Sequence, residues 1–149
     1  MMFLSRKALL GIAAVVDIAI HARPTPVAAK ALAARHGLPP RHLEPLLQAF
    51  VRGGILKGVR GPRGGYELAR ERRRITIAEI VKTAISAEDA STEGFLDSRL
   101  LKEVVNPVVA NASQELIRSL GATTVADLCG KAEMHGVFGS ADNMVDFTI

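Results

Sequence analysis

The stretch Val-Arg-Gly-Pro-Arg-Gly-Gly-Tyr at positions 59–66 constrains the fold of this chain more than any other. Gly61-Pro62-Arg63-Gly64-Gly65 reads as a tight turn, and the flanking residues, Ile55 to Val59 and Tyr66 to Ala69, read as two short strands. The resulting hairpin carries Lys57, Arg60 and Arg63. Arginines on a glycine turn reach phosphates, or enter a narrow minor groove, without steric obstruction. The glycines are not those of a nucleotide-binding loop, because they lie between strands and present no helix N-terminus to a phosphate.

The residues before the hairpin have helical signatures. Arg6 and Lys7 precede an apolar run from Ala8 to Ile20, which superficially resembles a secretory leader. Asp17 interrupts the run, and Leu9, Ile12, Val16 and Ala19 recur at helical spacing. The expectation is a buried first helix from Ser5 to His21 in a cytoplasmic protein. Thr25 and Pro26 resemble a helix start, with the hydroxyl as cap and proline in the first turn, so a second helix is expected from Pro26 to His36. Gly37 supplies a turn, and a third helix follows Leu38-Pro39-Pro40 and runs to Arg52, with Leu43, Leu46, Leu47 and Phe50 on one face. Pro45 leaves its first turn uncertain. Two short helices joined by a glycine turn and followed by a basic hairpin make a winged helix-turn-helix. In such a unit the third helix fits the major groove.

Charge supports a polyanion partner. Residues 1–82 contain fifteen Lys/Arg against five Asp/Glu, whereas residues 83–149 contain four against ten. A basic first half joined to an acidic second half suits a module that faces nucleic acid. Beyond the hairpin, Thr76 and Glu79 form a capping-box pattern for a fourth helix to Ile85, with Ile75 and Ile80 as its hydrophobic staple. Residues 86–97 read as a linker. A long helix is expected from Ser98 to Leu120, bent at Pro107, and a short one from Thr124 to His135, closed by Gly136.

The fold class is therefore mainly α with a small β-hairpin: a winged helix-turn-helix (residues 1–85), a linker (86–97), a long helix with a short final helix (98–136), and a tail (137–149). At this level the chain resembles the Rrf2 family, the winged-helix regulators of the IscR, NsrR and CymR type. The resemblance rests on Leu43-Glu44, on Gly54-Ile55-Leu56, and above all on Arg60-Gly61-Pro62-Arg63-Gly64-Gly65-Tyr66, followed by Leu68, Ala69 and Ile75-Thr76. It implies a homodimeric transcription regulator, usually a repressor, on a palindromic double-stranded operator, with residues 98–120 as the dimerisation helix. It also places Arg41, His42 and Glu44 toward bases and Arg60 and Arg63 at the minor groove. The candidate DNA-binding set is Thr25, Arg41, His42, Glu44, Lys57, Arg60, Arg63 and Tyr66. The run Arg72-Arg73-Arg74 is either a phosphate contact or a solvated connection.

Many members of that family hold an iron–sulfur cluster on three cysteines between the fourth helix and the dimerisation helix. Here residues 86–97 contain neither cysteine nor histidine, and the chain has one cysteine, Cys129. No cofactor is expected. Cys129 reads either as a small buried apolar residue or as a sensor: a redox thiol, or a metal or haem ligand with His135. His21 and His36 read as ordinary helix-end residues. Control by a small ligand or a regulatory protein remains open, and no membrane partner is expected. An enzyme is excluded by the lack of a nucleophile–base pair, a phosphate loop before a helix, or a catalytic metal ligand set. A protein-docking module is the other class, and the basic hairpin argues against it.

Overall fold

The computed structural model describes residues 4–88 and 98–139. Six α-helices and one two-stranded hairpin follow in the order α1 (Arg6–His21), α2 (Ala29–Arg35), α3 (Pro40–Arg52), β1 (Leu56–Val59), β2 (Gly65–Leu68), α4 (Ile77–Glu88), α5 (Asn106–Gly121) and α6 (Val125–Met134). A 3-10 turn at Arg72–Arg74 precedes α4, and a π-helical turn at Leu101–Val105 leads into α5.

α1 is the central strut. The Ser5 hydroxyl accepts a hydrogen bond from the Ala8 amide at 3.1 Å, which starts the helix. Ala8, Ala14, Val15 and Ile18 are wholly buried in it, as expected of a core helix. Leu43, Leu47 and Phe50 of α3, Ile80 and Val81 of α4, and Ile55 close the core around it. Each such side chain contributes about 1.5–3 kcal/mol when fully buried.

Thr25 does not cap α2. That helix begins at Ala29, and its N-cap residue, Ala28, makes no side-chain cap hydrogen bond. The cause is tertiary pairing. Val27 exchanges backbone hydrogen bonds with Tyr66, at 2.9 and 2.8 Å, which holds the segment before α2 extended and leaves Thr25 exposed in the preceding turn. The helix-start signal at Thr25-Pro26 loses to this bridge between the helical unit and the hairpin.

Two reciprocal capping boxes organise the second half. Thr76 Oγ1 accepts from the Glu79 amide while Glu79 Oε2 accepts from the Thr76 amide. Thr124 and Asp127 repeat the arrangement at α6. The two helix starts are stitched together: Ile77 N–H donates to Thr123 O, and Val125 N–H to Ile75 O, both at 2.9 Å. As a result α6 lies on α1 and the 3-10 turn, with Val125 and Cys129 buried there.

One expectation about a helix end is revised. α4 continues to Glu88, so residues 86–88 of the expected linker are helical, while 89–97 lie outside the described residues, as does the tail from 140. Pro107 is accommodated by the π-helical turn before it, where the Asn106 amide donates to the Leu101 carbonyl. A proline ring collides with the carbonyl four residues earlier, and a wider turn relieves that crowding.

Candidate nucleic-acid interface

The turn between α2 and α3 is formed by Gly37, which holds φ at +64°, and by the Leu38 amide donating to Ala33 O at 2.9 Å. Ala33 is buried at the helix contact. α3 then divides cleanly. Leu43, Leu46, Leu47, Ala49 and Phe50 point inward, whereas Arg41, Glu44, Gln48 and Arg52 are exposed. Spacings of three and four place those four polar residues along one outer face. His42 is exposed beside them.

The hairpin pairs Leu56 with Leu68, Lys57 with Glu67, Gly58 with Tyr66 and Val59 with Gly65. Gly61 takes φ +118°, a value that side chains rarely adopt. Arg60 and Arg63 are exposed on either side of it. Lys57 differs from them: its ammonium lies 2.9 Å from Glu67 Oε1 across the strands, so part of its charge is already balanced.

Helix and hairpin meet in one cleft of about 360 Å³, lined by Gln48 and Val51 of α3 and by Val59, Arg60 and Tyr66 of the hairpin. Gln48 Nε2 donates to the Tyr66 hydroxyl at 3.1 Å. Gln48 was not singled out from sequence, although it lies four residues after Glu44 and seven after Arg41 on the same face. Among the expected residues, Arg60 and Tyr66 share this cleft, Arg41, His42 and Glu44 occupy the first turns of α3, and Thr25 stands apart in the turn before α2.

The three consecutive arginines have separate environments. The Arg72 guanidinium donates to Ala19 O at 2.9 Å, Arg73 pairs with Glu71 at 2.8 Å, and Arg74 is exposed. The first is structural, not a solvated connection.

His21 and His36 are not ordinary helix ends. They flank Asp17, which is wholly buried. His21 Nδ1 lies 3.0 Å from Asp17 Oδ1, and His36 Nε2 lies 3.0 Å from Oδ2. Arg35 completes the cluster with Nη2 2.6 Å from Oδ1 and Nε 3.0 Å from Oδ2. A buried carboxylate requires such partners.

Cys129 is buried on α6. Burial pushes its thiol pKa above the ordinary value, against the opposing pull of the Arg72 and Arg23 guanidinium groups. His135, the other half of the sequence-proposed ligand pair, is exposed at the end of α6.

A family model described as "Iron-dependent Transcriptional regulator", Rrf2, matches residues 4–131. The HTH-type transcriptional regulator IscR of Xenorhabdus nematophila is 33% identical over 90 residues, covering 60% of this chain and 55% of that protein. The solved structure of T. potens IscR superposes with a TM-score of 0.69 at 32% identity, covering 90% of each chain. CymR, the global cysteine regulator of B. subtilis, superposes at 0.64 with 26% identity, over 88% of this chain and 98% of that one. The family's iron chemistry finds no matching donor set in these residues. A thiolate-held cluster needs several cysteines, and the sequence has one, buried on α6 beside Arg72. Among the described residues, no group of three His, Cys, Asp or Glu side chains could hold a metal. No helix among them is long and apolar enough to cross a membrane. The helix-turn-helix of this chain accords with relatives named as HTH-type transcriptional regulators. On these grounds it belongs to the Rrf2 family of winged-helix transcriptional regulators, which are DNA-binding proteins and not enzymes.

Proposed function

We propose that the chain represses transcription in the cytoplasm as a homodimer without an iron–sulfur cluster. Each protomer would lay α3 in a major groove and its wing against the adjacent minor groove. The observation that carries this reading is the cleft lined by both Gln48 of α3 and Arg60 of the wing. One surface can then read base edges and track the backbone together. In this arrangement Arg41 donates to guanine and Glu44 accepts from a cytosine amino group. His42 faces the bases beside them, Arg60 and Arg63 enter the minor groove, and Thr25, Lys57 and Tyr66 complete the DNA-binding set.

Residues 1–85 serve as the DNA-binding domain and 98–120 as the dimerisation helix. Support for the dimer comes from Leu100, Val104, Val108 and Val109, which are 56–68% exposed along the helix that contains α5. A monomer rarely leaves such an apolar stripe in water, and a two-fold partner covers it with the same stripe. The repressor reading rests on the family resemblance.

Selection of bound duplexes from a random pool, followed by sedimentation of the complex, tests the proposal. A two-fold symmetric consensus bound by two chains is expected, with Val108→Glu/Val109→Glu giving a monomer that no longer binds it. Placed over a promoter, the selected site should lower transcription in a purified system. A consensus lacking symmetry, or a monomer on DNA, would contradict the proposal.

A further inference from the structure

We propose that a groove between α1, α3 and α4 binds a small amphipathic carboxylate, and that its occupancy opposes DNA binding. The groove encloses about 570 Å³, within the range of small-molecule sites. Its walls are mostly apolar, with Leu10 of α1, Leu46 of α3 and Ala84 of α4 among them. Leu46 and Ala84 belong to the buried core, so the base of the groove is fixed by packing.

The rim has one sign of charge. Arg6 and Lys7 stand on the first turn of α1, with Arg41 on the first turn of α3 and His42 next to it. Among the described residues no carboxylate lines the groove, and none of Arg6, Lys7 or Arg41 has an ion-pair partner. Other exposed cations among the described residues divide: Lys57, Arg70, Arg73, Arg99 and Arg118 each pair with a carboxylate, whereas Lys30, Arg52, Arg60, Arg63, Arg74 and Lys82 do not. What sets Arg6, Lys7 and Arg41 apart is that they ring one apolar groove. Unpaired cations around an apolar depression match a ligand with an apolar body and a single anionic head. Burial of the body contributes through lost apolar area, and the head gains charge-assisted hydrogen bonds.

Regulation follows from Arg41 and His42, and this part rests on the DNA-reading role proposed above. A carboxylate held by Arg41 diverts it from a base and places a negative charge where phosphates approach. Ligand and DNA then compete for the same first turn of α3. Binding of the ligand itself does not depend on that role.

The test uses octanoate as probe, titrated calorimetrically into the full chain, with octanol and acetate as controls for head and body. One octanoate per chain is expected, with octanol weaker by about tenfold or more through loss of a charge-assisted hydrogen bond, and acetate weaker by at least as much because it lacks the apolar body that fills the groove. Arg6→Gln/Lys7→Gln should weaken octanoate by a similar factor, and Ala87→Phe, which fills the groove from α4, should abolish binding. Octanoate should weaken binding to the selected duplex for the parent chain and not for Ala87→Phe. Absence of octanoate binding, or binding unchanged in Ala87→Phe, would overturn the site. Octanol binding as well as octanoate would overturn the role of the cations. If either variant converts a dimer into a monomer, the groove is an interface between copies and the proposal fails. Octanoate bound with no effect on the duplex overturns the regulatory link. Octanoate bound by a chain that selects no duplex sustains the site and refutes the DNA-reading role instead.

Discussion

Arg35 of α2 clamps Asp17 of α1, its guanidinium meeting both carboxylate oxygens at 2.6–3.1 Å. Asp17 is the one buried charged residue among those described, and this contact fixes how the helix-turn-helix sits on the central strut. Removing the guanidinium leaves the buried carboxylate with only the imidazoles of His21 and His36, a loss of up to about 3–5 kcal/mol for pairs of this kind. Arg35→Ala should therefore lower stability in urea unfolding by that order. Asp17→Ala/Arg35→Ala should recover a part of it, since the double variant leaves no unpaired charge. A double variant less stable than Arg35→Ala would count against the clamp.

Glu79 gives the fold a dependence on acid. Burial raises its pKa, but hydrogen bonds from the Thr76 backbone and the Arg70 guanidinium outweigh burial and hold it below 4.5. A carboxyl group depressed on folding stabilises fully above its unfolded pKa, and the contribution is lost as pH falls through the folded value. Glu79→Gln should unfold at a lower temperature than the parent near neutral pH. The gap should narrow as pH drops below 4.5. A gap independent of pH would show that the charge of Glu79 is immaterial.

Cys129 should behave as a packing residue. Its raised pKa keeps it as the unreactive thiol near neutral pH. Alkylation by iodoacetamide should be slow in the folded chain and fast in denaturant, and Cys129→Ala should leave DNA affinity unchanged. Rapid labelling of the folded protein at pH 7, or a loss of DNA binding in Cys129→Ala, would restore a sensor role.

Gly65 sets the distance between wing and helices. A β-carbon there would collide with the backbone carbonyl of Val27, where the Val27–Tyr66 bridge is made. Gly65→Val should cost about 1–3 kcal/mol, as for other over-packed sites. It should also speed amide hydrogen exchange at Val27 and Tyr66 while the helical core stays protected. Unchanged exchange at those two amides would mean that the wing is not held by this bridge.

The sequence was most readable where a signal is local. The Gly61–Gly65 turn, the caps at Ser5, Thr76 and Thr124, and the inward stripe of α3 follow from spacing and residue chemistry within a few positions. Long-range pairing was hidden. Thr25 lost its capping role to a bridge between Val27 and Tyr66, distant in sequence, and His21 and His36 gained a partner in Asp17 that no spacing rule connects to His36. Asp17 looked like an interruption of an apolar run because its Arg35 partner lies on another helix. Gln48 could have been found from the α3 face alone, by continuing the step from Arg41 through Glu44. Its contact with Tyr66 could not, because that depends on how the wing folds back.

Salt dependence of DNA affinity tests the central account most directly. Affinity for the selected duplex would be measured between about 50 and 200 mM salt for the parent and for Arg60→Ala/Arg63→Ala. A protein neutralising six to ten phosphates loses roughly 10³–10⁵ in affinity over that range. The account predicts a loss of that order for the parent, and a shallower slope with weaker binding once the two wing charges are gone. An unchanged slope and affinity in the variant would contradict the placement of this wing on DNA.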